Sequence, residues 1–295
     1  MTPFLSGFVT LVGRPNVGKS TLVNAMVGSK VAITSPRPQT TRNQIRGVLD
    51  RPDVQAVFID TPGVHKPRTL LGERLNDRSL QTLAEVDVVC LVIEASESIG
   101  PGDRFVAREI QRVNTPKVLV LNKTDLASSD DVLKQLAAAS SKLGDFDEYI
   151  PVSATTGGGV DVLVRELIAR FEPGPRYYPE GTITDQPETF LSAELVREKL
   201  LATAREELPH SIAVTVEEIE ERPNGVLAIR AVIRVERDSQ KAIVIGKGGE
   251  VLKQVGTEAR QELERLLGAR VHLETFVKVE PNWQRSAQML DRLGY

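Results

Sequence analysis

An apolar run, Phe8-Val9-Thr10-Leu11-Val12, leads directly into Gly13-Arg-Pro-Asn-Val-Gly-Lys-Ser20, and a helical pattern starts at about Lys19. Strand, glycine-bearing loop and helix in immediate succession constrain this chain more than any other feature. Glycines at 13 and 18 let the backbone wrap an anion without Cβ atoms in the way, and the helix start adds free N–H groups and a favourable dipole. Lys19 supplies a point charge toward the outer phosphates, and the Ser20 hydroxyl suits a magnesium ion. The segment Gly13, Arg14, Pro15, Asn16, Val17, Gly18, Lys19, Ser20 and Thr21 is therefore read as a nucleoside triphosphate cradle on an α/β sheet.

Strand-like runs at 8–12, 44–50, 54–60, 87–94, 117–122 and 148–153 alternate with helical patterns, which predicts a mixed six-stranded sheet wrapped by helices. The turn cluster Asp50-Arg-Pro-Asp53 makes the second and third runs an antiparallel hairpin. Residues 1–172 form this first domain. The stretch 173–188, rich in proline and glycine, reads as a linker, and 189–295 as a smaller second domain. At 295 residues and 41% hydrophobic, the chain has apolar content for two cores. The single cysteine, Cys90, lies inside an apolar run and is expected to pack as a small hydrophobe. No basic stretch precedes a long apolar one at the N-terminus, and no window approaches the roughly 18 apolar residues of a membrane span, so a cytoplasmic location is expected. Peripheral association with the inner face of the cell membrane stays open.

Asn122-Lys123-Thr-Asp125 follows the run Val118–Leu121 at its C-terminal end, where open α/β sheets bind nucleotides. The Asp125 carboxylate can accept from both the ring N–H and the exocyclic amine of guanine; adenine would leave it unpaired. Asp60-Thr61-Pro62-Gly63 ends another strand, placing Asp60 to hold magnesium and the Gly63 N–H to sense the γ-phosphate. In Gln39-Thr40-Thr41-Arg42, Thr41 is preferred over Thr40 as the second protein ligand to magnesium after Ser20. Ser153-Ala154 is expected to aim a backbone N–H at the guanine carbonyl. Val64 stands where efficient small GTPases carry a water-orienting glutamine, so hydrolysis should be slow. His65 is a minor candidate for a general base, and the spacing of His210 and His272 suggests no zinc site.

The second half reads αββααβ, with helices at 190–207, 239–245 and 250–267 and strands around 212–216, 227–235 and 271–279. Its Gly246-Lys247-Gly248-Gly249 loop lies between two helices, the setting in which a KH fold brings backbone close to single-stranded nucleotides. Lys plus Arg number 37 against 40 Asp plus Glu, a net charge of −3, so any nucleic-acid site must be local. Arg237, Lys241, Lys247 and Lys253 supply such a patch. Phe276 and Trp283 could each stack on bases or pack internally.

Taken together, Gly13–Ser20, Gln39–Arg42, Asp60–Gly63, Asn122–Asp125, Ser153-Ala154 and the glycine loop at 246 resemble the bacterial Era family of GTPases from end to end. The resemblance implies a P-loop GTPase domain joined to a type II KH domain, GTP and GDP as ligands, and magnesium as cofactor. It also implies small-subunit (16S) ribosomal RNA near its 3′ end and the 30S subunit as partners, in subunit assembly. The expected catalytic set is Lys19, Thr41, Asn16 and Gly63, with Asn16 expected to help hold a potassium ion beside the phosphates, where a cation can take the role of an arginine finger. The alternative is a GTP-regulated RNA scaffold with little turnover.

Overall fold

A computed structural model of the chain describes residues 3–35, 37, 40–67, 69–203 and 211–295. Gln39, His210 and the end of the helix expected to reach residue 207 lie outside these. The chain divides into two compact units, Met1–Thr34, Thr41–Arg68 and Gly72–Asp185 forming one, Ser35–Thr40, Thr69–Leu71 and Gln186–Tyr295 the other.

The first unit is built on strands β1 (Leu5–Val12), β2 (Ile45–Asp50), β3 (Val54–Asp60), β4 (Val88–Glu94), β5 (Lys117–Asn122) and β6 (Glu148–Pro151), in the order β2-β3-β1-β4-β5-β6. β2 is antiparallel to β3, and β3, β1, β4, β5 and β6 run parallel. Every residue of β3 and β4 is buried, as expected of strands covered on both faces by helices. Those helices are α1 (Lys19–Val27), α2 (Leu70–Gln81, which belongs to this unit from Gly72 onward), α3 (Pro101–Ile110), α4 (Ser129–Lys142) and α5 (Val160–Ile168). The single cysteine, Cys90, is 1% exposed in β4, and burial pushes its thiol up to about 12.

Two details depart from the sequence expectation. The sheet has a seventh strand, the two-residue β7 (Glu172–Pro173), antiparallel to β1. The breaker-rich stretch also packs on the first unit as far as Asp185. Buried Gln55 holds it, accepting from the N–H groups of Tyr177 and Tyr178 at 2.8 and 2.9 Å and donating to the Tyr178 carbonyl at 3.0 Å. Arg176 pairs with Asp50, and the Val48 N–H donates to the Ile183 carbonyl along the free side of β2. Prolines are tolerated because an edge needs few of their missing donors.

The second unit follows the order α6 (Glu188–Thr203), β8 (Ala213–Glu221), β9 (Leu227–Val235), α7 (Asp238–Ile245), α8 (Glu250–Leu267) and β10 (Val271–Val279). Its sheet runs β10-β9-β8, with β8 antiparallel and β10 parallel to β9. Val196 and Leu200 of α6, Ala231, Ile233 and Val235 of β9, Val244 of α7 and Val255 and Ala259 of α8 form its core. The last segment, α9 (Ala287–Arg292), follows Trp283, which is fully buried and donates from Nε1 to the Ser211 carbonyl at 3.1 Å. Its ring lies 5.9 Å from that of Tyr295. Trp283 therefore anchors the tail and is not available for stacking on a base.

Candidate nucleotide site and nucleic-acid loop

Parallel register brings four strand ends to one edge of the first sheet, Leu11 lying opposite Asp60 and Cys90, and Glu94 opposite Asn122. The loop after β1 closes over this edge. Gly18 caps α1 at φ 93°, and a Cβ there would sit 2.3 Å from Asn122 Nδ2. Only glycine fits both the left-handed backbone and that approach. Lys19 is 6% exposed and donates to the carbonyls of Gly13 and Arg14 at 3.3 and 3.0 Å. Burial lowers its ammonium to about 8, against the partial opposing pull of Asp60. Arg14 turns its side chain away from the loop to Asp103 and Glu97, at 2.7 and 2.9 Å. Asn16 is exposed at the loop tip in a left-handed conformation, φ 67°.

Ser20, Thr41 and Asp60 meet at one point. Ser20 Oγ donates to Asp60 Oδ2 at 2.6 Å, Thr41 Oγ1 donates to the same oxygen at 3.0 Å, and the two hydroxyls are 2.8 Å apart. Thr40 uses its hydroxyl differently, on the Arg37 carbonyl at 2.6 Å. Asp60 is fully buried, its carboxyl pushed up by desolvation, and its Oδ1 has no hydrogen-bond partner among the described residues. Two hydroxyls and a buried carboxylate with one unsatisfied oxygen form a hard donor set that fits a small divalent cation keeping several waters.

On the far side of the edge, Asn122 is 1% exposed and staples three segments: its Nδ2 donates to the Val17 carbonyl at 2.9 Å and its Oδ1 accepts from the Ala154 N–H at 3.1 Å. Asp125 is exposed and its Oδ1 accepts from Ser153 Oγ at 2.6 Å. The Ser153 N–H donates to the Gly158 carbonyl at 2.8 Å. The N–H groups of both residues of the pair expected to aim one at the base are thus bonded within the protein. Val64 is 1% exposed in the core formed with Val12 and Leu91, and its N–H donates to the Gly13 carbonyl at 3.1 Å. Its side chain faces the interior and not a phosphate. His65 Nδ1 lies 3.0 Å from the Gly63 carbonyl, with its N–H and carbonyl both bonded to the Asn76 side chain.

In the second unit, Gly246 ends α7 at φ 75°, ψ 173°, and a Cβ there would meet Val251 Cγ2 at 2.5 Å. Gly248 is left-handed with open space around it. Arg237, Lys247 and Lys253 are exposed and Lys241 half-buried, and no ion pair among the described residues involves them. Ile243, 56% exposed on α7, adds an apolar surface that sequence periodicity does not single out. Phe276 is 45% exposed under the Arg230 guanidinium, 5.8 Å away.

A family model described as a 50S ribosome-binding GTPase matches residues 8–123, and one described as a KH domain matches 207–284. The GTPase Era of Mycobacterium avium is 54% identical over 300 residues, and that of Mycolicibacterium smegmatis 52% over 299, each alignment covering the whole of both chains. The chain belongs to the Era family. It is a GTPase with a P-loop domain and a KH domain. Among solved Era structures, a variant of Aquifex aeolicus Era bound to GDP and aluminium tetrafluoride aligns at TM-score 0.96 and 39% identity. An Era in complex with MgGDPNP and nucleotides 1506–1542 of 16S ribosomal RNA aligns at 0.96 and 40%, and each alignment covers 99% of both chains. Sequence motifs do not mark two further residues paired to this candidate site, Asp103 with Arg14 and Glu94 with Lys123; the clue to the latter is its register opposite Asn122.

Proposed function

We propose that this chain is a GTP-timed RNA clamp, gripping 16S ribosomal RNA near its 3′ end through the second unit and acting in maturation of the small ribosomal subunit. One observation carries the reading: an Era sharing 40% of its residues binds MgGDPNP and nucleotides 1506–1542 of 16S RNA together, and this chain keeps the glycine loop and unpaired cations suited to that partner. Lys19 and the backbone from Gly13 to Thr21 hold the phosphates. Ser20, Thr41 and Asp60 would hold magnesium, which when bound neutralises charge on the β- and γ-phosphates. Gly63 senses the γ-phosphate, and Asp125 reads guanine. Arg237, Lys241, Lys253 and the loop Gly246, Lys247, Gly248 and Gly249 take the RNA. Because Val64 packs inward, its side chain does not orient water, and a potassium ion held with Asn16 beside the phosphates takes the role of an arginine finger, stabilising the charge that develops there.

A cytoplasmic location fits this work, and among the described residues no helix is long and apolar enough to cross a membrane. The test has three arms. Wild-type protein should bind a 1506–1542 RNA, and Lys247→Glu should weaken it at least about tenfold. Asp125→Asn should move preference from GTP to xanthosine triphosphate. Turnover should be faster in potassium than in sodium at equal ionic strength, a difference lost in Asn16→Ala. Unchanged RNA affinity in Lys247→Glu would remove the RNA assignment.

A further inference from the structure

Strand β4 spends six apolar residues, Val88 to Ile93, and then ends in an acid, Glu94, that is only 9% exposed. Burying a carboxylate there costs free energy unless each oxygen is matched. Both are: Oε1 accepts from Ser96 Oγ at 2.7 Å, and Oε2 pairs with Lys123 Nζ at 2.6 Å. Main-chain pairing fixes the acid in register, the Ala95 N–H donating to the Asn122 carbonyl at 2.8 Å. A second cost sits on the partner. Lys123 adopts φ 63°, a left-handed conformation that a side chain bearing a Cβ occupies at about 1 kcal/mol or more. Its Cε lies 4.0 Å from the position a Cβ would take at Gly18, so the lysine stem crosses the edge of the phosphate loop. Two unfavourable local choices meeting in one ion pair mark a site where geometry is held for a ligand.

We propose that Glu94 is a positioning residue for the nucleotide: by tethering Lys123 Nζ it lays the lysine methylenes across the loop as one apolar wall of the base pocket, opposite the reach of Asp125. The inference deepens the guanine site proposed above and rests on it. The wall acts equally on GTP and GDP, since it touches neither the γ-phosphate nor the edge of the base. Its loss therefore changes binding and leaves the chemical step alone. An ion pair serving only the fold would instead alter thermal stability and spare nucleotide kinetics.

The experiment measures dissociation of a fluorescent GDP, KM and kcat for GTP, and melting temperature, in Glu94→Ala, Glu94→Gln, Lys123→Ala and the Glu94→Ala/Lys123→Ala double variant of the full chain. Glu94→Ala should speed GDP release and raise KM about tenfold, the size of one charge-assisted hydrogen bond, with kcat within about twofold. Glu94→Gln, which keeps an acceptor for Lys123, should recover most of the loss. In the Lys123→Ala background, removing Glu94 should add nothing further to the release rate. Multiplying effects in the double variant, or a lower melting temperature with unchanged GDP release, would overturn the proposal. Failure of the guanine reading itself would appear elsewhere, as unaltered preference in Asp125→Asn.

Discussion

Asn122 is the residue whose removal should be felt most widely for its size. Its side chain makes no contact with bulk solvent to speak of, and it joins the phosphate loop at the Val17 carbonyl to the segment after β6 at the Ala154 N–H. Asn122→Ala deletes both bonds and strands two buried backbone groups, each worth about 1–3 kcal/mol when left unsatisfied. Allowing for partial relaxation and water entry, about 3 kcal/mol is lost in all. Expressed wholly in ligand binding, that is about a hundredfold in GDP affinity, since 1.4 kcal/mol is a factor of ten. The loss should divide between a lower melting temperature and a weaker Kd, because the staple orders the loops with or without nucleotide. Asp125→Ala provides the contrast, as it removes an exposed group that, among the described residues, accepts from Ser153 alone, and should weaken binding with little change in melting. Titration with fluorescent GDP and thermal unfolding of both variants check this. Asn122→Ala with GDP affinity within threefold of wild type and an unchanged melting temperature would refute the staple.

Lys19 supplies a pH prediction: burial holds its ammonium at about 8 against an ordinary 10.5, so the unfolded chain binds more protons between those values and stability rises with pH across that window. A phosphate beside it raises the pKa again, so calorimetry in buffers of different ionisation enthalpy should show uptake of about half a proton on GDP binding at pH 8, where the terminal phosphate of GDP is already ionised. Val64→Gln should leave hydrolysis no faster and lower the melting temperature, because position 64 points into the core with Val12 and Leu91, and a buried amide there costs about 1–3 kcal/mol. Gly246→Ala combines a glycine-only backbone with a 2.5 Å approach to Val251 and should cost about 2 kcal/mol or more, whereas Gly248→Ala has open space and should cost about 1 kcal/mol, a difference that denaturant unfolding resolves.

Much of the nucleotide edge is readable from the chain because parallel strands buried on both faces leave long apolar runs, Val88–Ile93 being the plainest, and function collects where such runs stop. Asp60, on which Ser20 and Thr41 converge, ends β3 by the same rule. What escapes is whatever depends on one long-range hydrogen bond. Nothing periodic announces β7, which pairs with β1, or the packing of residues 176–185, which rests on scattered long-range contacts with Gln55, Asp50, Arg46 and Val48. Trp283 reads equally well as a base platform and as an anchor until the Ser211 carbonyl takes its N–H. The N–H of Ala154 looks open to a ligand in sequence, yet Asn122 claims it. Glu94 looks like the end of a strand, and only its register beside Asn122 and its partner Lys123 give it a role.

The burial of Cys90 has a practical side. The chain holds one cysteine, and its thiol, 1% exposed and pushed up to about 12, is almost wholly protonated at neutral pH and screened from reagents. Maleimide chemistry will pass it by in the native protein. A cysteine introduced at an exposed position such as Ser141 would then be the sole target for a fluorophore or spin label. Distance changes through the nucleotide cycle can be recorded on a chain that keeps its own core intact.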